Sequence, residues 1–245
     1  MLGELLLQSG NDIPFNKARI AIHQPRIKEI AYIGEEEFFV GSHFLMFDKN
    51  FYLSDEDKNG LEDKSNFHIF MTVMNSSDGA NHKTDAIMVL TLLFPEYKVE
   101  IKKDSILLQS ENFSSSINEE NFEDFKVIIN QMFCLKGEAG EEEFNPADPV
   151  ANKIAEKIKK GKMKKAQTGT DKEMPKINLL SNYISILSVG LGKDKNELMN
   201  YTVYQLKDEF KRFQLRESYD LYLKANLAGA QDLEEVENWM EDIHP

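Results

Sequence analysis

Apolar and polar positions along this chain fall into three blocks. Residues 19–23 alternate at a spacing of two, which predicts a short strand. Pro25 behind Gln24 predicts a helix through Ile27, Ile30 and Ala31, because proline is tolerated where a first-turn N–H has no partner. Gly34 closes that helix. Glu35, Glu36 and Glu37 open another, with acids where the macrodipole favours them and Phe38, Phe39, Leu45 and Phe47 as apolar positions. Residues 54–66 are polar and turn-like. Residues 67–74 are apolar without a deciding period, so helix and strand both fit. Thr84 is the expected cap of a helix running to Phe94, and Pro95 stops it. Tyr97 to Ile101 alternates, and Ile106 to Leu108 follows a polar break, which predicts a β-hairpin. Asn118 starts a helix with Phe122, Phe125, Ile128, Ile129, Met132 and Phe133 on one broad face. Residues 1–136 therefore read as an acidic α+β domain with a β-hairpin and several helices.

The pattern changes over residues 137–176. Residues 137–145 form an acidic spacer, and Asp148 with Pro149 has the form of a helix start. Val150, Ile154 and Ile158 recur at helical spacing until Gly161, and residues 162–176 read as a mobile linker with few large apolar side chains. Residues 177–245 have the grammar of a small all-α bundle. Tyr183, Ile184, Leu187 and Leu191 are spaced for one helix. Asp194 with Glu197, Thr202 with Gln205, and Asp232 with Glu235 each match a capping box. A central helix from Val203 to about Leu227 puts Val203, Leu206, Phe210, Phe213 and Leu221 on one stripe. Ala228-Gly229-Ala230 breaks it, and a last helix carries Val236, Trp239, Met240 and Ile243.

Charge sharpens this division. Residues 1–144 hold 13 basic and 26 acidic residues, residues 145–175 hold 8 and 4, and residues 176–245 hold 8 and 12. A net charge of −13 argues against a general nucleic-acid binder, since phosphate repels such a surface. The start of the chain has no basic segment before Leu5, Leu6 and Leu7, so no secretory signal is read, and no apolar run approaches a membrane span. The single cysteine permits no internal disulfide and fits a reducing, cytoplasmic setting.

No catalytic constellation emerges. Asp55, Asp57, Asn59 and Gly60 fit the front of a calcium loop, but its closing bidentate position is Asn66, so a solvated acidic turn is the expected reading. Cys134 lies among Met132, Phe133 and Leu135, where a core thiol is expected. His23, His43, His68, His82 and His244 lack metal-ligand spacing. Gly190-Leu191-Gly192-Lys193 is followed by Asp194 instead of the hydroxyl a phosphate loop needs, and reads as a helix C-cap. The cluster of Lys153, Lys157, Lys159, Lys160, Lys162, Lys164 and Lys165 has no aromatic between Phe144 and Tyr183 to stack on bases; it reads as a solvated face, or as a contact for an acidic protein surface.

Several stretches resemble the tail assembly chaperones of long-tailed bacteriophages of Gram-positive hosts. They are residues 22–25 (Ile-His-Gln-Pro), 27–30 and 32–39 near one end. Near the other they are residues 198–206, 210–213 and 219–223, Ala228-Gly229-Ala230 and Trp239. The resemblance implies a non-enzymatic protein of the host cytoplasm that binds the tape-measure and tail-tube proteins, with no cofactor, metal, nucleic acid or membrane involved. It transfers no site residues. Tyr204, Phe213 and Tyr222 are the anchors expected if the central helix presents an apolar surface to a partner. A structural tail or baseplate subunit retained in the virion is the competing reading, and a metal-regulated enzyme or sensor built on the Asp55 loop stands last.

Overall fold

The computed structural model describes residues 2–49, 63–76, 80–135, 179–230 and 236–240. The N-terminal part is α+β and the C-terminal part is helical, as the periodicity implies. It begins with α1 (Glu4–Ser9), β1 (Ile13–Phe15) and β2 (Ile20–Ile22). These strands pair antiparallel, and Ile13, Phe15, Ile20 and Ile22 face the core while Pro14 and Ala21 face outward. Helices α2 (Ile27–Ile33), α3 (Glu35–Leu45), α4 (Asn66–Asn75) and α5 (Ala80–Leu93) follow. A meander of β3 (Lys98–Ile101), β4 (Ile106–Gln109) and β5 (Ser114–Ile117) leads into α6 (Phe122–Phe133).

The core of this part is aromatic. Phe70 stacks on Phe122 at 5.0 Å between centroids, Phe38 meets Phe133 edge-on at 4.8 Å, and Phe94 lies over Phe125 at 6.2 Å. Such rings bury large apolar areas and prefer these offset or tilted geometries. Gly41 lets α3 approach α5 closely; a Cβ there would lie 2.6 Å from the Asp85 carbonyl carbon.

Several boundaries differ from the sequence expectation. Residues 67–74, left open between helix and strand, are helical in α4, whose start is capped by the Ser65 hydroxyl accepting from the His68 N–H. Thr84 lies inside α5 and does not cap it. Asn118 belongs to a turn before α6: its N–H donates to the Asn121 side chain, and its carbonyl accepts from the N–H groups of Asn121 and Phe122. Cys134 is half-exposed at the C-cap of α6 with φ +51°, and is not a core thiol. The core face of α6 ends one residue earlier, at Phe133.

The C-terminal part comprises α7 (Leu179–Leu191), α8 (Lys195–Leu198) and α9 (Val203–Leu227). Gly192, at φ +68°, follows α7 in the left-handed conformation that the C-cap reading requires. Asp194 caps α8 by accepting from the Asn196 N–H at 2.7 Å. Val236 to Met240 is coil and turn where a last helix was expected. The Asp232–Glu235 box, Ile243, the Asp55 loop and residues 137–176 with their lysine cluster lie outside the described residues, apart from Asp63, Lys64, Ser65 and Asn66 at the end of that loop.

The sequence division into an N-terminal and a separate helical domain meets a different arrangement. Residues 1–134 and 178–245 form one compact unit, and residues 135–177 a second. Within the first unit each part caps a helix of the other. The opening N–H groups of a helix have no partner of their own. Those of α2 at Ile27 and Lys28 donate to the carbonyls of Tyr201 and Met199, both at 2.9 Å. Arg26 and Thr202 form an antiparallel bridge beside them. This pairing explains why α2 starts at Ile27 instead of Pro25: Arg26 is held extended, at ψ 154°. In return, the Glu35 carboxylate accepts from the N–H groups of Leu180 at 2.5 Å and Ser181 at 3.4 Å, capping α7.

Side chains extend the junction. The Thr202 hydroxyl accepts from the Gln205 N–H at 3.3 Å, and the Gln205 amide oxygen accepts from the Thr202 N–H at 2.9 Å, completing the predicted box. Gln205 Nε2 also donates to the Gln8 carbonyl at 2.6 Å, at the end of α1. A glutamate would keep the box and lose this donor. Thr202→Ala removes one partner of a buried N–H and is expected to cost about 1 kcal/mol, read as a lower thermal midpoint.

Glu29 adds a pH dependence. Burial pushes its carboxyl up, but a hydrogen bond from the Arg26 N–H at 2.7 Å, one from the His23 ring, and the charges of His23 and Arg26 outweigh burial and hold it below its ordinary value. A carboxyl depressed by folding stabilises the native state fully above the ordinary carboxylate range. That contribution is lost as pH falls through the lowered pKa. Glu29→Gln should therefore flatten the acid limb of a plot of thermal midpoint against pH, and leave the slope near neutrality unchanged.

Candidate partner-binding surface

The sequence reading assigns partner binding to the central helix, α9, which packs against α7. Leu180, Ile184 and Leu187 form the buried stripe of α7, and Tyr183 stacks on Phe210 of α9 at 3.9 Å between centroids. Gly190 lies under the Phe213 ring, and a Cβ there would come within 2.6 Å of a ring carbon. Lys193 joins the helices near their connection, donating to the Tyr201 hydroxyl at 2.7 Å and pairing with Glu209 at 3.0 Å. Partial burial pulls the Lys193 pKa down, but these two partners more than offset that and raise it.

The outer face of α7 carries no charge. Asn182, Ser185, Ile186 and Val189, spaced i, i+3, i+4 and i+7, are all exposed. Val189 is 84% exposed, and Leu221 and Leu227 of α9 are 69% and 89% exposed. These large aliphatic side chains are left open to solvent on neighbouring helices.

The three expected anchors take different places. Tyr204 is buried, at 5% exposure, in the first turn of α9, so it serves the junction and is out of a partner's reach. Phe213 is half-buried with its ring against Gly190 and beneath the Arg216 guanidinium. Tyr222 is half-buried further along α9. Leu221, placed on the inner stripe by periodicity, is exposed. The N-terminal turns of α9 bury Val203, Tyr204 and Leu206, and past Leu206 no residue of the helix is fully buried. Sequence reasoning missed Ile186 and Val189. The signal available was a thirteen-residue helix without one charged side chain.

Among the described residues no group of three or more histidine, cysteine or acidic side chains is placed to hold a metal ion. No described helix is long and apolar enough to cross a membrane.

Residues 169–244, which contain α7, α8 and α9, match the family model described as YomV second domain. That is a phage-related family, and the match points to a phage protein. No curated protein and no solved structure matches the chain.

Proposed function

We propose that this protein is a phage tail assembly chaperone, non-enzymatic and active in the host cytoplasm, that binds the tape-measure and tail-tube proteins during tail morphogenesis. One observation carries the reading: the stretch similar to a phage-related domain family is the stretch with the exposed apolar helix face. The resemblance of short stretches within residues 22–39 and 198–239 to tail assembly chaperones supplies the particular activity. Capping of α7 by Glu35, and of α2 by the carbonyls of Met199 and Tyr201, fixes the helices before any partner arrives. A surface ordered in advance loses less entropy on association. Val189, Leu221 and Leu227 would enter the interface, while Tyr204 and Phe213 hold the helices that present them.

Co-expression with the neighbouring tape-measure and tube proteins, followed by pull-down, tests the proposal. The full chain should retain at least one of them, and Val189→Asp with Leu227→Asp should abolish retention without moving the melting curve. Failure of the full chain to retain either protein contradicts the reading. Stoichiometric presence in purified virions would replace it with a structural tail subunit.

A further inference from the structure

Residues 236–240 lie against α9 well before its end. Arg212 Nη1 donates to the Trp239 carbonyl at 2.8 Å. Arg212 stands 15 residues before Leu227, the last of the helix. At 1.5 Å per residue, the Arg212 backbone is therefore about 22 Å back along α9 from its end, and its guanidinium meets the Trp239 carbonyl from there. Gly229, at φ +84°, provides the left-handed residue just past the helix end.

The face that carries Arg212 continues through Leu215, Tyr219 and Tyr222, spaced 3, 4 and 3 along α9. All four are half-buried, whereas Gln214, Ser218 and Leu221 between them are exposed. Trp239, the single tryptophan, is half-buried as well. Charge agrees with this seating. In sequence, residues 231–245 contain six acidic residues and no lysine or arginine, while α9 holds five basic residues, Arg212 and Arg216 among them, and four acidic ones. A guanidinium grips carbonyl and carboxylate oxygens with a planar fork, and tyrosine rings give broad contact with little rotamer entropy to lose.

We infer that the Arg212–Leu215–Tyr219–Tyr222 face is a docking surface for an acidic segment bearing a large aromatic side chain, and that the chain's own Trp239 segment occupies it in the free protein. This deepens the proposed partner binding and rests on it for the exchange: a partner segment of the same chemistry displaces residues 236–240. The seating of Trp239 itself is independent of any partner.

The test uses the full chain and the emission of its one tryptophan. Arg212→Glu should shift Trp239 emission to longer wavelength and raise acrylamide quenching toward the urea-unfolded value, with the thermal midpoint little changed. Added salt should do the same in part, since the attraction is screened. A labelled peptide of residues 231–245 should then bind the full chain carrying Trp239→Ala, and lose at least tenfold in affinity when Arg212→Glu or Tyr222→Ser is added. Wild-type emission already at the unfolded position, or unmoved by Arg212→Glu, overturns the seating. A seated Trp239 with no peptide binding overturns the docking surface. If the peptide fails while tail proteins are still retained in pull-downs, this inference falls and the proposed function stands; the reverse pair of results sinks the proposed function and leaves the surface.

Discussion

Leu206→Ala is expected to destabilise the whole chain by about 2–5 kcal/mol, the range for truncating a fully buried leucine to alanine. Leu206 is 0% exposed in the first turns of α9, a helix that packs on α1, α6 and α7. The substitution removes apolar contacts and leaves a cavity that parts drawn from both ends of the chain must share. The loss should therefore appear in one unfolding transition, with fluorescence and circular dichroism giving the same midpoint. If only α7–α9 unfold early, leaving the aromatic core intact, α9 is an appendage and not part of that core.

Gly41→Ala should cost about 1–3 kcal/mol by overpacking. Two effects oppose each other at this position. Alanine in the middle of a helix is favoured over glycine by roughly 1 kcal/mol, so propensity alone predicts stabilisation. Against it, the new Cβ meets the carbonyl of Asp85, whose carbon would be 2.6 Å away and whose oxygen closer still. A backbone carbonyl inside α5 cannot turn aside as a flexible side chain can, so α3 and α5 must separate across a core that includes Phe38, Phe44 and Val89. Steric cost wins, and the sign of the change in urea midpoint decides the matter. A midpoint that rises would mean that the two helices are not held this closely.

Elements with a strong period or a cap of their own were legible in the sequence. Helices α6, α7 and α9 follow from spaced apolar residues and, for α9, from the Thr202–Gln205 box. The β3–β4 hairpin follows from alternation. Strand β5 was hidden because Ser114, Ser115 and Ser116 carry no apolar signal; it is held by backbone pairing to β4, by Ile117 in the core, and by the Ser115 hydroxyl donating to the Ala18 carbonyl at 2.5 Å. Strand β1 was hidden because Pro14 sits at its centre, which only an edge position tolerates.

The junction was illegible for a deeper reason. Its acceptors at α2 are the main-chain oxygens of Met199 and Tyr201, and a carbonyl is present at every residue whatever the side chain. Composition marks the change at residues 137–176, but it does not say whether the blocks on either side pack together. The candidate surface was half legible for the same reason. Helical spacing found the residues of α9, while the extent of its docking, which buries Tyr204 and exposes Leu221, depends on that junction.

The unity of the two parts can be read from a single cut. A specific protease site placed after Lys165 and cleaved under native conditions would leave residues 1–134 on one fragment and α7, α8 and α9 on the other. Size-exclusion chromatography should then show both fragments in one peak at the position of the uncut chain, separating only in denaturant. Two folded fragments that elute apart without denaturant would contradict the mutual capping of α2 and α7, and with it a partner surface fixed in advance on a rigid body.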